Sequence, residues 1–228
     1  DTLFRDGLWD VYNDVPMGTC GDRCAERYAL SREQQDDFAV ESYRRALDAQ
    51  EAGHFDREIV TAGAGIVDEE PGRFNEEKLR GLKPAFGEAG TVTAANASSI
   101  NDGAASVAVL SDGARKENDT LPVARILGHA TSAREPEWFT LAPIDAISKV
   151  LEQTGLAADD VDLFEINEAF SCVPMAAMKA LSIPHEKVNV FGGAVALGHP
   201  IGASGCRILV TLLNAMAVRS ARIGIASL

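Results

Sequence analysis

A chain of 228 residues, 46% hydrophobic and 24% charged, has the composition of an ordinary globular protein. It is long enough to hold one large domain or two smaller ones, each with a core. The formal net charge of −13 argues against nucleic acid or an anionic membrane as the main partner. An anionic small molecule is still allowed, because it needs only a local basic pocket. No apolar run approaches the roughly 20 residues of a membrane span, and no signal-peptide pattern opens the chain. Neither membrane insertion nor secretion is therefore expected.

In chain order, the polar run Asp1–Asp6 opens the sequence without Met, and Ser227-Leu228 closes it inside an expected strand, so both ends read as cut. Cys20 and Cys24 have helical rather than zinc-site spacing, and no His lies near them. With Cys172 and Cys206 they read as reduced, mostly buried thiols of an intracellular protein. Ser31-Arg32-Glu33-Gln34 forms a capping box opening a helix to about Ala52, stopped by Gly53. Its apolar face is Phe38, Ala39, Tyr43, Ala46 and Ala49. The stretch from Ala62 to Arg73 reads as a loop or shortened hairpin, and Asp112–Leu121 as a linker.

From Val107 onward, short apolar runs alternate with helical stretches. The expected strands are Val107–Leu110, Val123–Leu127, Val161–Ile166, Val188–Val190 and Ile223–Ala226. The expected helices are Pro143–Thr154, Glu168–Leu181 and Ile201–Ala217, with Pro174 marking a kink or a late start in the second. Alternation of this kind predicts an α/β fold with a buried sheet covered by helices.

Three segments have the make-up of a site. Residues 90–105, GTVTAANASSINDGAA, are small and rich in amide and hydroxyl groups, suited either to a slim ligand lying against backbone or to tight packing. In Phe164–Phe170 an expected strand runs into a helix start, the edge where α/β sheets gather ligands. Asn167 there can present an amide to a developing oxyanion, or serve as a plain N-cap with Glu168 favouring the helix dipole. Residues 192–205 carry five glycines in fourteen residues around His199-Pro200. Proline pushes the preceding residue out of the helical region, and imidazole titrates near neutral pH, so His199 is a candidate general base.

Together these segments resemble the thiolases, in particular the acetyl-CoA acetyltransferase and 3-ketoacyl-CoA thiolase branches. The carrying motifs are GTVTAANASSINDGAA at 90–105, INEAF at 166–170 and GGAVALGHPIGASG at 192–205. PMGT at 16–19, LSREQQDDFA at 30–39 and LKPAF at 82–86 add to them. The resemblance implies a layered α-β-α-β-α fold, incomplete in this chain. A loop domain covering the coenzyme A site would occupy 1–99, the end of the N-terminal half 100–120, and the C-terminal half 121–228. Without its usual sheet, the 1–99 segment is expected to be exposed or covered by another chain.

The resemblance further implies that His199 is the base activating a nucleophilic thiol. With a water held by Asn167, it would also form an oxyanion hole. Ser98 and Ala94 would line the pantetheine strip, Met17, Phe139 and Phe170 the acyl and pantetheine pocket, and Arg73 the neighbourhood of the CoA nucleotide. Coenzyme A and acyl-CoA are substrates, and no metal or other cofactor is implied. A homodimer or homotetramer is expected, in a mitochondrial, peroxisomal or cytoplasmic setting that the motifs leave open.

The departures concern sulfur. Family members carry a nucleophilic cysteine before the segment matched here and a second after the Ala-Ser-Leu stretch. None of Cys20, Cys24, Cys172 and Cys206 matches either, so this chain alone is expected to be inactive. The Gly65–Arg73 region is shorter than usual, and Pro16 stands where biosynthetic members often have His. The alternative expectation is a catalytically dead thiolase-fold subunit that binds acyl-CoA or scaffolds an assembly.

Overall fold

The computed structural model describes residues 2–61, 67–119 and 121–228. A π-helical turn at Leu3–Gly7 leads to a minimal antiparallel pair, β1 (Trp9–Asp10) and β2 (Val15–Pro16). Helix α1 (Met17–Arg27) follows, and its i, i+4 spacing puts Cys20 and Cys24 on a fully buried face. Helix α2 (Arg32–Glu51) starts at the expected capping box: the Gln34 backbone N–H donates to Ser31 Oγ, and the Ser31 N–H to Gln34 Oε1. It ends before Gly53, whose φ of 68° is the left-handed stop that glycine supplies without a Cβ clash. Short helices α3 (Glu76–Arg80) and α4 (Asp112–Glu117) are capped by Asn75 and Ser111.

The second half is built on α5 (Ala142–Thr154), β3 (Leu163–Ile166), α6 (Cys172–Leu181), α7 (Ala194–Leu197), α8 (Ser204–Arg219) and β4 (Gly224–Ser227). Strands β3 and β4 are parallel, with Leu163 opposite Gly224 and Ile166 opposite Ser227. All four β3 residues are buried, as expected when helices cover both sheet faces. Side chains alternate across the strand. Phe164 and Ile166 join the core made with α1, α5 and α6. Leu163 turns the other way, toward Phe55, Phe191, Leu212 and Ala215. Each such fully buried Phe, Ile or Leu stabilises the fold by about 1.5–3 kcal/mol.

Several expectations are corrected. Val107–Leu110 and Val123–Leu127 form no strand: Val109 is 72% exposed and Val123 81%, and neither run pairs with another among the described residues. An apolar run becomes a strand only when a partner takes its backbone hydrogen bonds. Val188–Val190 contributes isolated bridges, including one from Val188 to Phe164, rather than a continuous strand. The second helix begins at Cys172, not Glu168, so Pro174 falls in the first turn, where the missing N–H costs nothing. The third runs Ser204–Arg219, because Pro200–Ala203 forms a turn before it. The linker reading of Asp112–Leu121 gives way at its start to α4.

The 1–99 segment is not left bare. Helix α1 packs against α6, and α2 against α7, so this segment shares the core of the second half. Within the Ala62–Arg73 stretch, 62–66 lie outside the described residues, and Pro71–Arg73 forms a 3-10 turn.

Candidate active site

Strand β3 delivers Asn167 to the sheet edge, where its backbone N–H donates to Ser227 O at 2.9 Å. The side chain is buried. Its Nδ2 lies 3.3 Å from His199 Nε2, while its Oδ1 is buried without a hydrogen-bond partner among the described residues. On the other side of the imidazole, Nδ1 lies 2.5 Å from Ser204 Oγ. The His199 backbone N–H donates to Ser99 O at 3.0 Å. Burial first, and then the positive charge of Arg207, hold the His199 pKa below the usual histidine value. Both favour the uncharged ring, the form a general base needs.

Backbone pairing brings the three segments together. Ala97 bridges to Phe170, and the Ser171 N–H and Oγ–H both donate to Asn96 O, at 2.8 and 2.9 Å. Ser98 donates from both N and Oγ to Ala169 O at 3.1 Å. Its hydroxyl thus faces the chain, leaving lone pairs rather than a proton for a ligand. The 96–99 strip is therefore tied to the segment following Asn167 at one end and to His199 at the other.

Neither Asn167 nor Glu168 is a helix cap. Glu168 is fully buried and acts as an anchor. Its Oε2 accepts from Ser42 Oγ at 2.7 Å and from the Val195 N–H at 3.0 Å; its Oε1 accepts from Asn189 Nδ2 at 2.8 Å. Asn189 in turn accepts from the Ile166 N–H at 2.8 Å, and Ser42 Oγ accepts from the Gly193 N–H at 3.0 Å. Helix α2, the end of β3 and the segment leading to His199 thus meet at one carboxyl group. A Cβ at Gly193 would collide with that group, which is why glycine stands there. Gly198, at φ 86° with Asn101 packed against its α-carbon, carries the turn into His199.

Beneath the site, Arg207 Nη1 donates to Glu165 Oε1 at 3.0 Å. Burial pushes the Glu165 carboxyl up to about 8, against the opposing pull of Arg207. Among the described residues, Arg207 Nε and Nη2 are buried without hydrogen-bond partners, and the positive charge of the guanidinium acts on His199.

Of the other expected residues, Phe170 meets Phe86 edge-to-face, with ring centroids 6.3 Å apart. Met17 opens α1 and Phe139 lies in the Pro136–Leu141 turn packed on α1; both are half-buried. Ala94 is exposed at the turn of the 90–105 segment. Arg73 stands apart on the surface, paired with Glu70 at 2.9 Å and Glu69 at 3.1 Å. No hydrogen bond or ion pair among the described residues links it to the His199 site. Reading the sequence missed Glu168 as an anchor, Ser204 and Arg207. Ser204 and Arg207 fall five and eight positions after His199, so one turn followed by a helix start could bring them back to it.

A thiolase N-terminal domain model matches residues 1–113, and a thiolase C-terminal domain model matches 120–228. The chain belongs to the thiolase family. Among its relatives, a probable acetyl-CoA acetyltransferase of Dictyostelium discoideum is 51% identical over all of this chain and 57% of its own length. Acetyl-CoA acetyltransferase 2 of Arabidopsis thaliana is 50% identical over 99% of the chain and 59% of its own length. Among solved structures, an Ascaris suum thiolase in complex with coenzyme A superposes with a TM-score of 0.89 at 44% identity, covering 94% of this chain and 57% of that one. Human mitochondrial 3-ketoacyl-CoA thiolase in complex with CoA gives 0.90 at 33% identity, covering 100% and 59%. The thiolase fold is thereby shown, and this thiolase chain spans a little under three-fifths of the length of these relatives.

Proposed function

We propose that the natural protein containing this chain is a thiolase that transfers an acyl group between an enzyme cysteine and coenzyme A. The observation that carries the reading is a half-buried imidazole whose Nε2 faces the amide of a buried asparagine, in surroundings that hold its pKa below the usual histidine value. In thiolysis, Nε2 takes the proton of a cysteine thiol, and the thiolate attacks the keto carbon of a 3-ketoacyl-CoA. Collapse of that adduct breaks the carbon–carbon bond and releases acetyl-CoA as its enolate, which is then protonated. Attack by the thiol of a second CoA returns the acyl group to CoA. The protonated imidazole and Asn167, through a water, meet the oxyanion charge. Claisen condensation is the same path in reverse.

That two relatives at about 50% identity are acetyl-CoA acetyltransferases favours acetyl-CoA and acetoacetyl-CoA as the substrates. Ser98, Ala94, Met17, Phe139 and Phe170 are the proposed pantetheine and acyl contacts, and Arg73 the proposed neighbour of the nucleotide. We also place the protein inside the cell as a homodimer or homotetramer, a reading that size measurement and localisation of the tagged protein test.

The chain alone is expected to show no turnover. Cys20, Cys24 and Cys172 are fully buried in the α1–α6 core. Burial pushes the Cys20 thiol up, while contact with Cys24, together with burial, raises that of Cys172. The ring nitrogens of His199 face Asn167 and Ser204 rather than any of these thiols.

The test is kinetic, on the natural protein with acetoacetyl-CoA and CoA. His199→Ala should lower kcat by about 100- to 10,000-fold. Asn167→Ala should lower it by about 100- to 1,000-fold, with circular dichroism unchanged. An Asn167→Ala effect confined to KM would reduce that residue to a substrate contact. Near-normal turnover in His199→Ala would refute the base.

A further inference from the structure

We propose that Ser204 is a positioning residue that holds His199 in the Nδ1–H tautomer, so that Nε2 is the ring's acceptor, able to exchange the weak Asn167 contact for the proton of a thiol. The proposal rests on the thiolase reading for its catalytic consequence, but not for the hydrogen bonds themselves. Ser204 is the first residue of α8 and is fully buried, yet its hydroxyl caps no helix N–H. The residue turns back on the preceding turn instead. Its backbone N–H and its Oγ lie 2.9 Å from the same oxygen, that of Pro200.

A serine hydroxyl carries one hydrogen and two lone pairs. With the hydrogen donated to Pro200 O, Oγ can only accept from His199 Nδ1, 2.5 Å away. Nδ1 must then hold the ring proton. A neutral imidazole has one ring N–H, so Nε2 is left with its lone pair, 3.3 Å from the Asn167 Nδ2 that donates to it.

The opposite assignment turns the Asn167 amide over, so that Nε2–H faces Oδ1 and Oγ–H points at Nδ1. It would place the Asn167 NH2 where Oδ1 now sits buried without a partner among the described residues. That arrangement makes two hydrogen bonds around the ring where the assigned one makes three, because the Ser204 hydroxyl must leave Pro200 O to reach Nδ1, so it is the costlier.

The chain itself makes this placement possible. Ser99 O pins the His199 backbone N–H, and a Cβ at Gly103 would run into the Pro200 ring, so 99–103 closes over His199-Pro200 from one side. The turn Pro200–Ala203 brings Ser204 back under the ring from the other. A loosely held imidazole would sample both tautomers, and only one offers a base at Nε2.

The test is nitrogen-15 NMR of the natural protein grown with labelled histidine. The chain has four histidines, so His199→Gln identifies the His199 signals by their loss. Above its pKa, His199 should show a pyrrole-type Nδ1 and a pyridine-type Nε2. A dominant Nε2–H tautomer in the wild type overturns the proposal, without need of any variant. Ser204→Ala should release the ring to a mixture of tautomers and lower kcat by about 10- to 100-fold, leaving KM for the CoA thioester unchanged. Ser204→Thr, which keeps the hydroxyl, should restore the tautomer and most of kcat. A Ser204→Ala protein that keeps a pure Nδ1–H tautomer overturns the positioning role, whatever its rate. Absence of thiolase turnover in the wild type would instead refute the functional reading and the catalytic half of this proposal, while the tautomer still decides the structural half.

Discussion

Two irregular stretches of this thiolase chain invite comparison: the glycine-rich loop at 192–204 and the apolar runs at 107–110 and 123–127. Neither contains a long element, yet one is rigidly placed and the other lies open. The loop's polar atoms are met by Glu168, Ser42, Ser99 and Pro200, and Ala194, Val195 and Ala196 are each at most 1% exposed. The apolar runs have the stronger strand propensity, but Val123 and Ile126 stand 81% and 71% exposed. Order follows satisfied backbone and buried contacts rather than residue type.

The sharpest way to break the comparison is Glu168→Ala. It would leave Ser42, Asn189 and the Val195 N–H buried without their acceptor, and should destabilise the fold by about 3–5 kcal/mol in urea unfolding. A loss below about 1 kcal/mol would mean that the loop is not held through this carboxyl group.

Gly198→Ala should come next, at about 1–3 kcal/mol, since the backbone is left-handed there and Asn101 fills the space a methyl group would take. Loop disorder visible by amide hydrogen exchange at 193–199 should accompany it. Unchanged exchange would break the link between this turn and the placement of His199.

A smaller effect is pH-dependent. Burial raises the folded-state pKa of Glu165 to about 8, above its unfolded value near 4.5. The folded state therefore binds the proton more tightly. Its stabilising contribution is fully present below the unfolded value and is lost as pH rises through about 8. Urea midpoints should fall across that window, and Glu165→Gln should flatten the fall. An unchanged slope would assign the pH response to another group.

The smallest effect is expected at Val123→Ser, within about 0.5 kcal/mol, because an 81% exposed side chain has little burial to lose. A larger loss would show that the segment is covered in solution, and the contrast between the two regions would collapse.

Much of the helical structure was legible from local signals. The box Ser31–Gln34 set the start of α2 and Gly53 its stop, Pro143 fell in the first turn of α5, and the spacing of Cys20 and Cys24 gave a helical face. Strands were less legible. Val161–Ile166 and Val123–Leu127 look alike in sequence, and only the first finds a parallel partner, in β4. The site was legible as motifs but not as roles. Asn167 and Glu168 read as a helix cap because the pair precedes an apolar run, whereas the helix starts at Cys172 and Glu168 points inward to α2.

By itself, then, the sequence determined the elements whose signals lie within a few residues of one another, the thiolase motifs, and His199 and Asn167 as the pair to watch. Tertiary structure decided which nitrogen of His199 faces Asn167, which carboxyl group anchors the loop, and that the 1–99 region packs into the second half. The physical reason is range. Caps, turns and periodicity are settled by neighbours along the chain. The partner of a buried polar group, by contrast, comes from wherever folding brings a donor or acceptor within 3 Å, here from residues as distant as Ser42 and Glu168.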